Sequence, residues 1–221
     1  MKSQLIILSI GFLAQAFFSA RILVQWILSE RARRVLSPSI FWVLSLAGSC
    51  LLCLYGWLRD DFSIILGQFI SYYIYLWNLN IKGIWHKVPA PARYVLMLLP
   101  VAAVIGVARD MDAVVASLFR NEDIPLWLLI YGSAGQVIFT LRFVYQWLYS
   151  HRMHESQFPA GFWIISLIGS LTIVSYGCIR QDIVLIVGQS FGLVAYIRNL
   201  VIGHRARKAA EQSPGEPVTD P

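Results

Sequence analysis

Apolar runs of about twenty residues, each long enough to cross a hydrocarbon core, alternate with short polar segments along most of the chain. They fall roughly at 4–28, 39–58, 62–81, 93–109, 126–149, 160–179 and 182–202. The pattern predicts an all-α membrane protein with seven transmembrane helices. Pro38 and Pro159 are placed to open the second and sixth helices, where a missing N–H costs nothing. The turns Arg59-Asp60-Asp61 and Arg180-Gln181-Asp182 are very short, so the helices they join are antiparallel neighbours. From about Ala209 the chain turns polar and Pro-containing and is expected to be disordered.

The pattern repeats. Phe41-Trp42-Val43-Leu44-Ser45-Leu46-Ala47-Gly48-Ser49 returns as Phe162-Trp163-Ile164-Ile165-Ser166-Leu167-Ile168-Gly169-Ser170. At the same offset and without a gap, Arg21, Gln25, Trp26 and Ser29 fall on Arg142, Gln146, Trp147 and Ser150. Tyr55-Gly56, Gly67-Gln68, Tyr75 and Asn78-Leu79 fall on Tyr176-Gly177, Gly188-Gln189, Tyr196 and Asn199-Leu200. Roughly a third of the aligned positions are identical, well above chance. The N-terminus mimics a secretory leader, with Lys2, an apolar run and Ala14-Gln15-Ala16. The same segment recurs mid-chain, so it reads as a retained helix.

Charge sets an orientation. Arg31, Arg33 and Arg34 follow the first helix, Lys82, Lys87 and Arg93 the third, Arg152 the fifth, and Arg205, Arg207 and Lys208 the seventh. The intervening loops are balanced or acidic, notably at Asp110, Asp112, Glu122 and Asp123. The positive-inside rule then puts the N-terminus outside and the C-terminus in the cytoplasm. A unit of three helices, copied in tandem, would face the opposite way. The run at 93–109 has no counterpart and restores the direction. The expected plan is 3+1+3: parallel triple-helix-bundle repeats about an axis along the membrane normal. Its parts are a first repeat at 1–85, a linker with the fourth helix at 86–122, a second repeat at 123–204 and a tail at 205–221.

Composition agrees: 57% of residues are hydrophobic and 14% charged, against about 25% in soluble domains. The net charge of +6 fits basic loops against anionic headgroups, and nucleic acid is not expected as a partner. Cys50, Cys53 and Cys178 lie within apolar runs and read as packing. His151 and His154 face Glu30 and Arg33 in the first copy, so no metal site is expected, and no cofactor. No pair of intramembrane carboxylates supports catalysis. Asp61 and Asp182, beside Arg59 and Arg180, read as solvated ion pairs.

Polar groups within a bilayer are costly, so their repetition singles them out. Arg21 and Arg142 are placed to hold an anion between the halves or to snorkel to the interface. Gln25 and Gln146 share a helix face with them at i, i+4. Gln25, Gln68, Asn78, Gln146, Gln189 and Asn199 either line a central path with the arginines or satisfy one another between helices. Arginine's planar fork suits phosphate. Trp42 and Trp163 are either interfacial anchors, the reading the enrichment of Trp at membrane faces favours, or stacking surfaces for a sugar ring. Gly48-Ser49 and Gly169-Ser170 have the spacing of close helix packing.

The motif Pro-x-x-Phe-Trp-x-x-Ser-Leu-x-Gly-Ser, then Tyr-Gly-x-x-Arg-x-Asp, Gly-Gln and Tyr-x-x-Asn-Leu resembles the lipid A biosynthesis N-terminal domain family. The resemblance covers both triple-helix units. It implies a bacterial inner-membrane protein of lipid A or lipid-linked sugar metabolism, without the glycosyltransferase domain that some members carry. Its partner would be a membrane lipid or lipid-linked sugar phosphate, bound and moved between the halves. The alternatives are a membrane anchor or accessory subunit for a glycosyltransferase, and a sugar carrier. More distantly the plan is similar to the SWEET and other PQ-loop proteins. Their Pro-Gln would fall at Val24-Gln25 and Tyr145-Gln146, where this chain lacks both prolines.

Overall fold

The computed structural model describes residues 2–58, 62–107, 125–181 and 183–212, and among them it is all helix, without a strand. The helices are α1 (Lys2–Ala32), α2 (Ser39–Leu58), α3 (Phe62–Ile81), α4 (Ala90–Val107), α5 (Leu126–Met153), α6 (Ala160–Arg180) and α7 (Ile183–Gln212), with a 3-10 turn at Trp85–Lys87. In lipid each backbone polar group needs a partner within its own segment, which favours long uninterrupted helices. Pro159 sits one residue ahead of α6 as its N-cap, and Pro38 ahead of α2, so both prolines precede the first helical residue rather than occupy it. Arg33 and His154, at equivalent positions after α1 and α5, both adopt left-handed backbone (φ 53° and 54°) and turn the chain sharply back.

Four helices among the described residues are long and apolar enough to cross a membrane: Leu5–Ala32, Ser39–Leu58, Leu126–Met153 and Ala160–Arg180. A shorter apolar stretch occupies Ala90–Gly106. The distribution of side chains is inverted relative to a water-soluble protein. Phe12, Leu98, Ile105 and Leu126 project outward, while Arg21, Gln25, Ser29, Asn78 and their counterparts are buried. So much exposed apolar surface demands a nonaqueous neighbour.

Two helix trios pack in series, α1 on α2 on α3 and α5 on α6 on α7, with α4 against α2 and α3. They meet through α1 on α7 and α3 on α5, two crossings that exchange under the repeat. Gly48 and Gly169 admit the close approach within each trio. A Cβ on Gly48 would touch the Phe18 ring at 3.0 Å, and one on Gly169 the Phe139 backbone at 2.8 Å.

The core between the trios is aromatic. Phe158, in the α5–α6 loop, stacks on Trp42 (centroids 5.2 Å apart, 24° between planes) and packs on Phe41, Phe162 and Trp163. Trp42 and Trp163 are buried here, 0% and 2% exposed, which corrects the interfacial-anchor expectation. From the loops at 33–38 and 154–159, Ser37 meets Trp42 and Phe158 packs on the first residues of both α2 and α6. α7 also outruns expectation: helix continues through the presumed tail to Gln212, with an Arg207–Glu211 ion pair at 3.0 Å one turn apart. Arg59, Asp60, Asp61, Asp110, Asp112, Glu122, Asp123, Asp182 and the segment 213–221 lie outside the described residues.

Candidate functional site: paired arginines above amide staples

The buried polar residues lie in two layers. One lies between the C-terminal halves of α1, α3, α5 and α7. Gln25 and Asn199 form a reciprocal amide pair across the α1–α7 crossing, Gln25 Nε2 donating to Asn199 Oδ1 (2.9 Å) and Asn199 Nδ2 to Gln25 Oε1 (3.1 Å). Gln146 and Asn78 do the same across α5–α3, at 3.0 and 3.2 Å. Each glutamine also reaches a serine one turn on, Ser29 or Ser150, at 2.9 Å. The Gln25 nitrogen lies 3.2 Å from the Leu36 carbonyl, and that of Gln146 lies 3.1 Å from the Gln157 carbonyl. Ser29 and Ser150 in turn accept the backbone N–H of Leu36 and of Gln157, both at 3.0 Å, which pins the loops. Ser156 adds a donor to Asn78 Oδ1 at 2.6 Å and touches Ser37 Oγ at 2.9 Å. The position matching Ser156 is Val35, so the Asn199 staple has no such support.

The second layer, toward the helix N-termini, holds Arg21 and Arg142, 5% and 4% exposed. Arg21 Nη1 donates to Ser45 Oγ (2.9 Å) and Tyr75 Oη (3.1 Å). Arg142 Nη1 reaches only Tyr196 Oη, at 3.4 Å, and its guanidinium lies 3.3 Å from the Phe139 ring centroid. Both flank Phe143, at 5.3 Å and 4.7 Å, so the two charges cannot be more than about 10 Å apart. The acids among the described residues, Glu30, Glu155 and Glu211, are all exposed, so none of these carboxylates pairs with either arginine. Hydroxyls and the faces of Phe18, Phe41, Phe139 and Phe143 offset part of the cost of burying the two guanidiniums, and an anion between the halves would offset more of it.

A cavity of about 240 Å³ opens directly over the arginines, between the N-terminal halves of α1, α3, α5 and α7. Gln15 and Gln136, Ser19 and Thr140, and Gln68 and Gln189 line it in matched pairs. Ser49 Oγ donates to Gln68 Oε1 (3.1 Å) and Ser170 Oγ to Gln189 Oε1 (2.9 Å), which leaves each amide nitrogen as the unused donor. The surface is thus rich in N–H donors around two cations, the chemistry that receives phosphate and hydroxyl oxygens.

The expected residues therefore separate. Arg21, Arg142, Gln68 and Gln189 line the cavity; Gln25, Gln146, Asn78 and Asn199 lie beneath it and hold the halves together. Trp42 lies in the aromatic core, and Trp163 reaches only a small void under the arginines. Gln15 and Gln136 were overlooked. Their signal was present, a glutamine repeated at one offset inside an apolar helix, but Gln15 was masked by its likeness to a leader cleavage site. Elsewhere the crossings diverge: Arg198 forms a two-bond ion pair with Glu30 across α1–α7, whereas the matching residues across α3–α5, Trp77 and His151, place rings 6.0 Å apart.

A family model described as Lipid A Biosynthesis N-terminal domain matches residues 10–80 and again residues 131–201. The lipid-A-disaccharide synthase of Chlamydia pneumoniae is 31% identical over 208 residues, covering 90% of this chain and 34% of that protein. That of Chlamydia muridarum is 31% identical over 217 residues, 92% and 35% respectively, and that of Chlamydia felis 28% over 228 residues, 96% and 36%. The chain thus spans about a third of the length of these curated relatives. No solved structure matches. With both of its matches laid on the two helix trios that build the cavity, the chain belongs to the lipid A biosynthesis N-terminal domain family.

Proposed function

We propose that this protein binds a phosphorylated lipid or glycolipid of lipid A or lipid-linked sugar metabolism in the cavity between its halves, and moves the headgroup across the bacterial inner membrane. The observation that carries the reading is the pair of buried arginines, without a carboxylate partner among the described residues, beneath a donor-lined cavity. Arg21 and Arg142 hold the phosphate; the amides of Gln15, Gln68, Gln136 and Gln189 take the headgroup oxygens. The reading uses seven spans in a 3+1+3 plan, with the N-terminus periplasmic and the C-terminus cytoplasmic. Exchange of the α1–α7 and α3–α5 crossings under the repeat supports that plan, because a two-fold carrier can open alternately about such an axis.

The test is mass spectrometry of lipids that co-purify with the full chain, run beside an R21A/R142A variant. Wild type should retain a phosphorylated species that the variant loses while keeping its helical circular dichroism and its elution volume. Equal retention by a folded variant refutes the site.

A second reading has one observation in its favour. The named relatives are lipid-A-disaccharide synthases about three times longer, so this membrane unit would anchor or serve such an enzyme through its basic ends, Arg205, Arg207 and Lys208 among them. Co-purification of a glycosyltransferase, lost on neutralising those residues, would favour it. Carriage of free sugar, the SWEET-like alternative, leaves the arginine pair without a task and predicts hexose flux into vesicles.

A further inference from the structure

Below the main cavity lies a separate void of about 10 Å³, between the arginine layer and the amide staples. That is the lower limit of the space one water needs. Three buried N–H groups on its lining residues have no acceptor: Arg21 Nε, Arg142 Nε and Trp163 Nε1. All three side chains are at least nine-tenths buried. The first repeat handles its tryptophan differently. Trp42 Nε1 donates to Ser37 Oγ at 3.0 Å, and the residue matching Ser37 is Phe158, which cannot accept.

We infer that this void is a resident site for one monatomic anion, chloride in the cell, held by Arg21 Nε, Arg142 Nε and Trp163 Nε1. The choice of a halide over a water follows from the inventory of donors. A water accepts two hydrogen bonds and must place two protons of its own. Gln25 Oε1 accepts from Asn199 and Tyr196 Oη from Arg142, so a water's protons would have to share these oxygens, while only two of the three N–H groups could bind its lone pairs. The other walls are Ile22 and the rings of Phe41, Phe143 and Phe162. Water would therefore leave one of the three N–H groups unpaired and both guanidinium charges without an opposite charge. A halide accepts all three N–H groups and cancels one charge. Chloride is larger than water, so Phe41, Phe143 and Phe162 must move outward to admit it, whereas phosphate is too large and is confined to the cavity above. The halide also explains how two arginines persist side by side in the interior before any larger anion arrives. The site does not depend on the phosphorylated ligand of the upper cavity.

The test uses the full chain purified in a neutral detergent with gluconate as the only anion. Chloride or bromide replaces gluconate at constant ionic strength, and the thermal unfolding midpoint is followed. A saturable rise with either halide is expected. Trp163→Phe keeps the ring but removes one donor to an ion, and should raise the halide concentration needed for half the effect by roughly tenfold. Crystals grown in bromide should show an anomalous peak within hydrogen-bonding distance of Trp163 Nε1, a readout that needs no variant to fold. A midpoint indifferent to which anion is present overturns the inference. So does a W163F curve superimposable on wild type, or a bromide-grown crystal with ordinary water in the void.

Discussion

The two amide staples are chemically alike but not equally supported, and that difference can be measured. Replacing Asn199 with Leu removes the reciprocal pair with Gln25. The Gln25 nitrogen keeps Ser29 Oγ and the Leu36 carbonyl, so only its Oε1 is orphaned. Two interhelical hydrogen bonds at about 0.6 kcal/mol each, with a modest penalty for one stranded carbonyl, make the cost about 1–2 kcal/mol. Asn78→Leu loses the same two bonds to Gln146 and also the 2.6 Å bond from Ser156. It should cost about 1 kcal/mol more than the Asn199 change. Reversible unfolding in mixed micelles of mild detergent and dodecyl sulfate, followed by circular dichroism, gives both values. Ser156→Ala is the control: in that background the two leucine variants should become equal. Equal costs with Ser156 intact, or Asn199 the costlier, would refute the geometry. So would a gap that persists in the S156A background.

Gly169→Ala should cost about 1–3 kcal/mol, because the new methyl meets Phe139 backbone that cannot swing aside. Gly48→Ala meets only the rotatable ring of Phe18 and should cost less; equal costs in the same unfolding assay would count against this packing. Burial pushes the Lys82 ammonium below the usual lysine range, and the Glu155 carboxylate pulls it back up. Glu155→Gln should therefore lower it further and speed acylation of Lys82 at a fixed pH near neutrality, read by peptide mass spectrometry; an unchanged or slower rate would be wrong for this arrangement.

The helices were legible because unbroken apolar runs leave lipid-exposed backbone few alternatives. The arginines were legible because a guanidinium inside such a run, at matched positions in both trios, is too costly to be incidental. What a linear chain does not carry is which amide meets which. Gln25 pairs with Asn199 rather than Asn78, and that follows from how the trios dock, with α1 on α7 and α3 on α5. The tryptophans misled for a related reason. Trp at the start of a membrane helix normally meets headgroups, but here Phe158 and its loop fold over Trp42 from the other half. The helical reach of α7 was also hidden, because Arg205 to Gln212 looks like polar tail until its one-turn charge pairing is seen.

The mismatch between Arg198 beside Glu30 and Trp77 beside His151 carries its own consequence. Were a lone first trio to dimerise with its twin, Glu30 would face Trp77 at both seams. Two second trios would set Arg198 against His151. Neither homodimer recovers the ion pair, so each trio has become a specialist for the other, and cutting the gene into its two copies should yield pieces that reassemble only when both are supplied.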